Sequence, residues 1–312
     1  MAALTGSGIL LATACSHPFI GAPNSNTASS SGSRPTTSSS PTAHAKVTSG
    51  PLLGFELAPA QNAIVGTGQP VSLEFERPVK NKATVEKTLT VTALPATEGS
   101  WGWISTPSGR ERLDWRPKRP WTPLTTVQVK GDLTTVDPGG AHFTHPVDRS
   151  FTIGRDQQLI ANLDTKTLTI RQNGKPIRQI PVSGGEPVPG RASRPGTFAI
   201  KSREKTVHMT SASVGGPKHY DVLVNWGMRF TDTGGYLHQA LPEAQANVGV
   251  HNRSAGCIGM TPSGAQWLFD NTLLGDLLTI TGKEATTDLG GPGNGYADWS
   301  IDYPHWKSHS AQ

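Results

Sequence analysis

Cysteine is nearly absent from this chain: of 312 residues only Cys15 and Cys257 carry a thiol. Two such distant cysteines exclude a disulfide-stapled framework. Charge is sparse as well, at 16% of residues. Neither a basic helix nor a basic–aromatic array is present, so nucleic acid is not an expected partner. The net charge of +5 reads as a solvated basic surface, or as attraction to anionic polymers and lipid head groups. Long apolar runs are missing too: Gly8–Ala14 is too short to span a bilayer as a helix. Sustained helical periodicity is also lacking. What is plentiful is 35 glycines and 25 prolines, which suits β-rich domains with many turns.

The first residues read as an export signal, a short apolar run of small residues ending at Cys15. Ala12-Thr13-Ala14 suits ordinary signal cleavage, but Cys15 at the first mature position points to lipid modification of its thiol, as in a bacterial lipobox. The expected location is then extracytoplasmic, in the cell envelope, with a lipid anchor on the outer face of the cytoplasmic membrane. Residues 16–50 are Ser, Thr, Pro and Ala with few large apolar side chains. They cannot bury enough surface to fold and are expected to form a tether. From 51 to 154, period-two patterns such as Val71, Leu73 and Phe75 alternating with Ser72 and Glu74 predict short strands. Trp101, Trp103, Trp115 and Trp121 supply large aromatics. An immunoglobulin-like β-sandwich is the expected fold, with His142 and His145 in an exposed loop rather than at a metal.

Between 155 and 283 the strands predicted are Gln158–Leu163, Thr167–Gln172, Gly196–Lys201, Tyr220–Phe230, Gly235–Ala240 and Leu277–Thr281. One helix is expected, opened by Thr261 as cap and Pro262 in its first turn. The glycines of GGEPVPGRASRPGTFAI do not lie between a strand and a helix, so a phosphate loop is not expected. No cofactor or metal is called for. Residues 284–312 carry Tyr296, Trp299, Tyr303 and Trp306, and are read as a tail packing back on the second domain.

The densest chemistry lies between Gly234 and Pro262. Cys257 is flanked by Gly256 and Gly259, with Ser254 three positions earlier and His238 and His251 upstream. A thiol needs a base to act as a nucleophile at neutral pH. A tight turn at Gly256 can aim backbone N–H groups beside the sulfur. His238, fifteen residues, then Ser254-Ala255-Gly256-Cys257-Ile258-Gly259 resembles the signature of the L,D-transpeptidase (YkuD-type) family: a histidine, a spacer, then Ser/Thr-His-Gly-Cys, an apolar residue and Asn or Arg. Ala255 stands at the signature's second histidine and Gly259 at its Asn/Arg. The segment before it resembles the immunoglobulin-like domain of actinobacterial members.

The resemblance implies a mainly β chain, an immunoglobulin-like β-sandwich followed by a YkuD-type β-rich catalytic domain with one short helix. It implies acyl transfer on peptidoglycan tetrapeptide stems, donor and acceptor, through a thioester on Cys257. His238 would be the general base, held by the backbone carbonyl of Gln239 and paired with Cys257 as thiolate and imidazolium. Gly256 and Cys257 N–H groups would bind the oxyanion beside Ser254, and carbapenems would inhibit. Tyr220 and Met209 correspond to pocket residues, and His251, six residues before Cys257, is read either as supplying the imidazole that Ala255 lacks or as a solvated loop histidine. Leu241-Pro242, where the family has Pro-Trp, implies a more open cleft mouth. An L,D-carboxypeptidase on the same site, or a wall-binding lipoprotein without activity, are the other readings.

Overall fold

A computed structural model describes residues 45–210, 221–285 and 293–312. Two β-rich bodies follow one another, as the patterns predict. The first contains β1 (Phe55–Ala58), β2 (Ile64–Val65), β3 (Val71–Phe75), helix α1 (Lys82–Thr88), β4 (Thr90–Leu94), β5 (Gly99–Ser105), β6 (Glu111–Pro117), β7 (Thr126–Gly131) and β8 (Val147–Ile153). They form two four-stranded sheets, ordered β1-β3-β6-β5 and β2-β8-β7-β4. Alternation decides which side chains face the space between them: Val71, Leu73 and Phe75 of β3 and Val127 and Val129 of β7 are all buried. The four predicted aromatics, Trp101, Trp103, Trp115 and Trp121, are buried as well.

The second body contains β9 (Gln157–Asn162), β10 (Thr167–Gln172), β11 (Lys175–Ser183), β12 (Gly196–Ala199), β13 (Ser202–Thr210), β14 (Asp221–Arg229), β15 (Tyr236–Gln239), β16 (Ile258–Met260), helix α2 (Pro262–Asp270) and β17 (Leu277–Thr281). One nine-stranded sheet runs β12-β17-β9-β10-β11-β16-β15-β14-β13. Helix α2 starts where the sequence places it: the Thr261 hydroxyl accepts from Gly264 N–H at 3.2 Å. It lies against β14, β15 and β16 and buries Ala265, Leu268 and Phe269. That apolar face fixes the strand pair carrying the histidine and the cysteine.

Three expectations need correction. The expected tether runs to residue 50, yet Val47 N–H already donates to Thr134 O at 2.7 Å, so its last residues are docked on the sandwich. The region read as strands alone includes α1, seven residues whose buried positions are only Val85 and Glu86, too few to write a helical period. The aromatic tail does not stay on the second body. It begins there, with Tyr296 bridged to Ala199 and the Ser300 hydroxyl donating to Thr197 O at 2.9 Å. It then crosses to the sandwich through a final helix, α3 (Tyr303–Lys307). Trp306 is fully buried and donates to Ser100 O at 2.9 Å. Buried Glu86 of α1 accepts from Trp103 Nε1 at 3.0 Å and from Ala311 N–H at 2.8 Å. Glycine permits this seat, because a Cβ at Gly102 would meet the Trp306 ring at 2.7 Å.

Candidate active site

β15 and β16 run parallel, with Leu237 opposite Ile258 and His238 opposite Gly259. Leu237, Ile258 and Met260 are fully buried and belong to the core under the sheet. Side-chain alternation then puts His238, Gly259 and Cys257 on the opposite face. Gly259, opposite His238, carries no side chain and adds no bulk to that face. A Cβ there would lie 3.1 Å from the Cβ of Ala240, tight enough that the neighbour would have to give.

His238 is buried, and its Nδ1 lies 2.6 Å from the carbonyl of Gln239. A carbonyl can only accept, so Nδ1 carries the proton and Nε2 is left as the basic nitrogen. Burial lowers the pKa of His238, opposed by that same carbonyl. The Cys257 thiol donates to Gly234 O at 3.5 Å. Burial pushes it up to about 11, opposed by the backbone N–H of Tyr236. Both shifts disfavour the charged forms, the direction opposite to the expected thiolate–imidazolium pair. The physical cause is desolvation, which disfavours each charge.

The turn before the cysteine is held by side chains. Gly256 sits at φ +121°, a conformation glycine adopts readily. The Ser254 hydroxyl donates to Cys257 O at 2.5 Å and accepts from Gly256 N–H at 3.2 Å. Gly256 N–H, expected to face an oxyanion, is therefore engaged by Ser254 in the free protein. Three residues outside the expected set complete the scaffold. The Ser193 hydroxyl donates to Gly256 O and accepts from Gly185 N–H, both at 2.8 Å. Buried Asn252 accepts from Gly184 N–H at 2.7 Å and donates to Leu163 O at 2.8 Å. Tyr236, buried on β15, packs with Val207, Met209 and Val224 against Cys257.

The other expected residues fall in different places. Met209 is buried in that apolar cluster beside Cys257. Leu241 packs against it too. Tyr220 and Cys15 lie outside the described residues. His251 is exposed and lines a separate cavity with Lys166, Glu186 and Glu284, so it does not take the place of the imidazole absent at Ala255. The cavity that does reach the cysteine turn holds about 370 Å³. Ala255 and Gly256 form one end, Pro187, Val188 and Pro189 one wall, and Phe230, Thr231 and Gly234 the other. Among the described residues no cluster of His, Cys, Asp and Glu could hold a metal ion.

A partly buried thiol and an oriented, buried imidazole on one strand face, beside a cavity, make a candidate cysteine–histidine site on a mostly β scaffold. Comparison with known proteins narrows the class. A model of the L,D-transpeptidase catalytic domain matches residues 156–280 and one of a bacterial Ig domain residues 24–137. L,D-transpeptidase 1 of Mycobacterium tuberculosis is 30% identical over 230 residues, 72% of this chain and 84% of its own length. L,D-transpeptidase 2 of the same species is 32% identical over 262 residues, covering 81% of this chain and 61% of its own. The chain spans about 61% and 56% of the first two curated relatives it matches. An LD transpeptidase solved in complex with imipenem superposes with a TM-score of 0.62 at 29% identity, covering 74% of this chain and 99% of its own. The chain belongs to the L,D-transpeptidase family.

Proposed function

We propose that the protein is a peptidoglycan L,D-transpeptidase of the cell envelope, working through a thioester on Cys257. The observation that carries this reading is the shared strand face of His238 and Cys257, with Nδ1 locked on Gln239. His238 Nε2 takes the thiol proton as Sγ bonds to the carbonyl carbon of the diamino acid in a tetrapeptide stem. The tetrahedral oxyanion is held by Cys257 N–H, with Gly256 N–H joining if the turn releases it from Ser254. The carbon–nitrogen bond to D-alanine breaks, and the imidazolium returns its proton to the leaving amine. An amine of a second stem then attacks the thioester, its proton passes to His238, and the thiolate leaves and is reprotonated. Because burial disfavours both charges, charge develops during attack, where an aligned imidazole is of most use.

The family relationship supports the substrate class, and the relative solved with imipenem supports carbapenems as inhibitors. Lipidation at Cys15 and an envelope location belong to the same proposal and rest on the sequence. Incubation with a purified tetrapeptide-stem disaccharide, followed by mass spectrometry, tests it. The expected products are free D-alanine and a dimer cross-linked between third stem residues. Loss of D-alanine with no dimer would make the enzyme an L,D-carboxypeptidase, and unchanged substrate would overturn the reading.

A further inference from the structure

The cavity at the cysteine turn is almost uncharged. Of the residues lining it, Arg194 alone carries a charge, and among the described residues it has no acidic partner. The contrast along the same loop is clear. Arg191 pairs with Glu186, and Arg253 also reaches Glu186 at 2.9 Å, whereas Arg194 three residues on faces the cavity.

The hydroxyls opposite are set as donors. Thr233 N–H donates to Asn294 Oδ1 at 3.0 Å, which fixes that amide, so Asn294 Nδ2 donates to the Thr233 hydroxyl at 2.9 Å. Thr231 Oγ1 accepts from Gly235 N–H at 2.6 Å. Each hydroxyl oxygen therefore receives one hydrogen bond and keeps its own proton to give. A guanidinium and two hydroxyl donors, beside the apolar wall of Val188 and Pro189, suit a carboxylate carried on a small apolar residue.

We propose that Arg194 is a specificity-determining residue that binds a free carboxylate of the acyl-donor stem. This rests on the acyl-transfer reading for its substrate. Two carboxylates are candidates, the carboxyl terminus of the leaving D-alanine and the one on the side chain of the diamino acid. The test uses the full chain carrying Cys257→Ala, so that binding is read without turnover. Three probes are titrated calorimetrically: the free tetrapeptide, its carboxy-terminal amide, and the peptide amidated on the diamino acid side chain.

One of the two amides is expected to bind about ten- to a hundredfold more weakly than the parent, the loss typical of one charged hydrogen-bonded contact. Adding Arg194→Gln should weaken the parent peptide by the same factor and leave that amide unchanged, and Arg194→Lys should recover part of the loss. Equal affinity for all three peptides, or an Arg194→Gln protein that melts normally and binds the parent as tightly, would overturn the proposal. D-Alanine release by the wild-type chain is measured separately. Its absence, with carboxylate-selective binding intact, would contradict the transpeptidase reading and leave the carboxylate site standing.

Discussion

At the scale of single residues the account depends on which histidine is the base. His238 is locked through Nδ1 on the cysteine's strand face, and His251 is exposed in another cavity. His238→Ala is therefore expected to lower D-alanine release by at least two orders of magnitude, the usual scale for a general base. His251→Ala should change it less than threefold. Comparable losses in the two folded variants would remove the assignment. The pH dependence follows from the same burial. The unfolded histidine titrates near 6.5 and the folded one lower, because desolvation disfavours the imidazolium. The neutral base thus persists as pH falls through 6.5, and release should decline only below it. Burial moves the thiol to about 11, so no rise tracking a free cysteine near 8.5 is expected. A profile with its acid midpoint above 6.5, or an alkaline rise centred near 8.5, would contradict these shifts.

Among elements, the turn Ser254–Cys257 and the β15–β16 pair do most to build the site. Gly256 has room for a methyl group, since its nearest neighbours would lie at 3.8–3.9 Å. The obstacle to a side chain is φ +121°. Gly256→Ala should therefore destabilise by about 1–3 kcal/mol through backbone strain and misdirect Cys257, with activity falling more than stability. Unchanged activity would mean the turn tolerates other geometries. Much of this was legible in the sequence where pattern and chemistry coincide. β10 and β17 were readable because their alternation is clean, and α2 because Thr261-Pro262 punctuates it. β13 was not, because Arg203, Glu204 and Lys205 lie on a partly exposed hairpin and write no apolar period. β11 was hidden by Pro176 and Pro181. The candidate thiol and histidine stand out through their resemblance to the family signature. Ser193 and Asn252 do not, since the bonds that join Ser193 to Gly256 and Asn252 to Gly184 span 63 and 68 residues and only the fold makes them.

Across the whole molecule the carboxy-terminal segment ties the two bodies together, and buried charge marks the seam. Arg112 of β6 holds Asp114 through Nε at 2.9 Å and reaches Gly295 O at 2.7 Å. Asp298, fully buried, approaches the same guanidinium at 3.8 Å. Burial and the neighbouring Asp114 carboxyl push Asp298 well above the ordinary carboxylate range, with Arg112 opposing. A carboxyl raised on folding contributes stability that is complete below its unfolded value of 3.8 and is lost as pH rises through its folded value. Asp298→Asn keeps the neutral form at every pH. Urea unfolding should therefore find it close to wild type near pH 4 and more stable at pH 7.5. A variant less stable at both would show that the ionised carboxylate supports Arg112.

The central claim is that Cys257 is an acyl-accepting nucleophile. A strained lactam carbonyl is an acyl donor that such a thiol opens, leaving a thioester too stable to turn over quickly. Intact-mass spectrometry after incubation with a carbapenem is the most direct test. The account predicts one adduct per chain, placed by digestion on the peptide containing Cys257 and absent from Cys257→Ala. A folded wild-type protein that stays unmodified at high drug excess, or an adduct that survives Cys257→Ala, would contradict it.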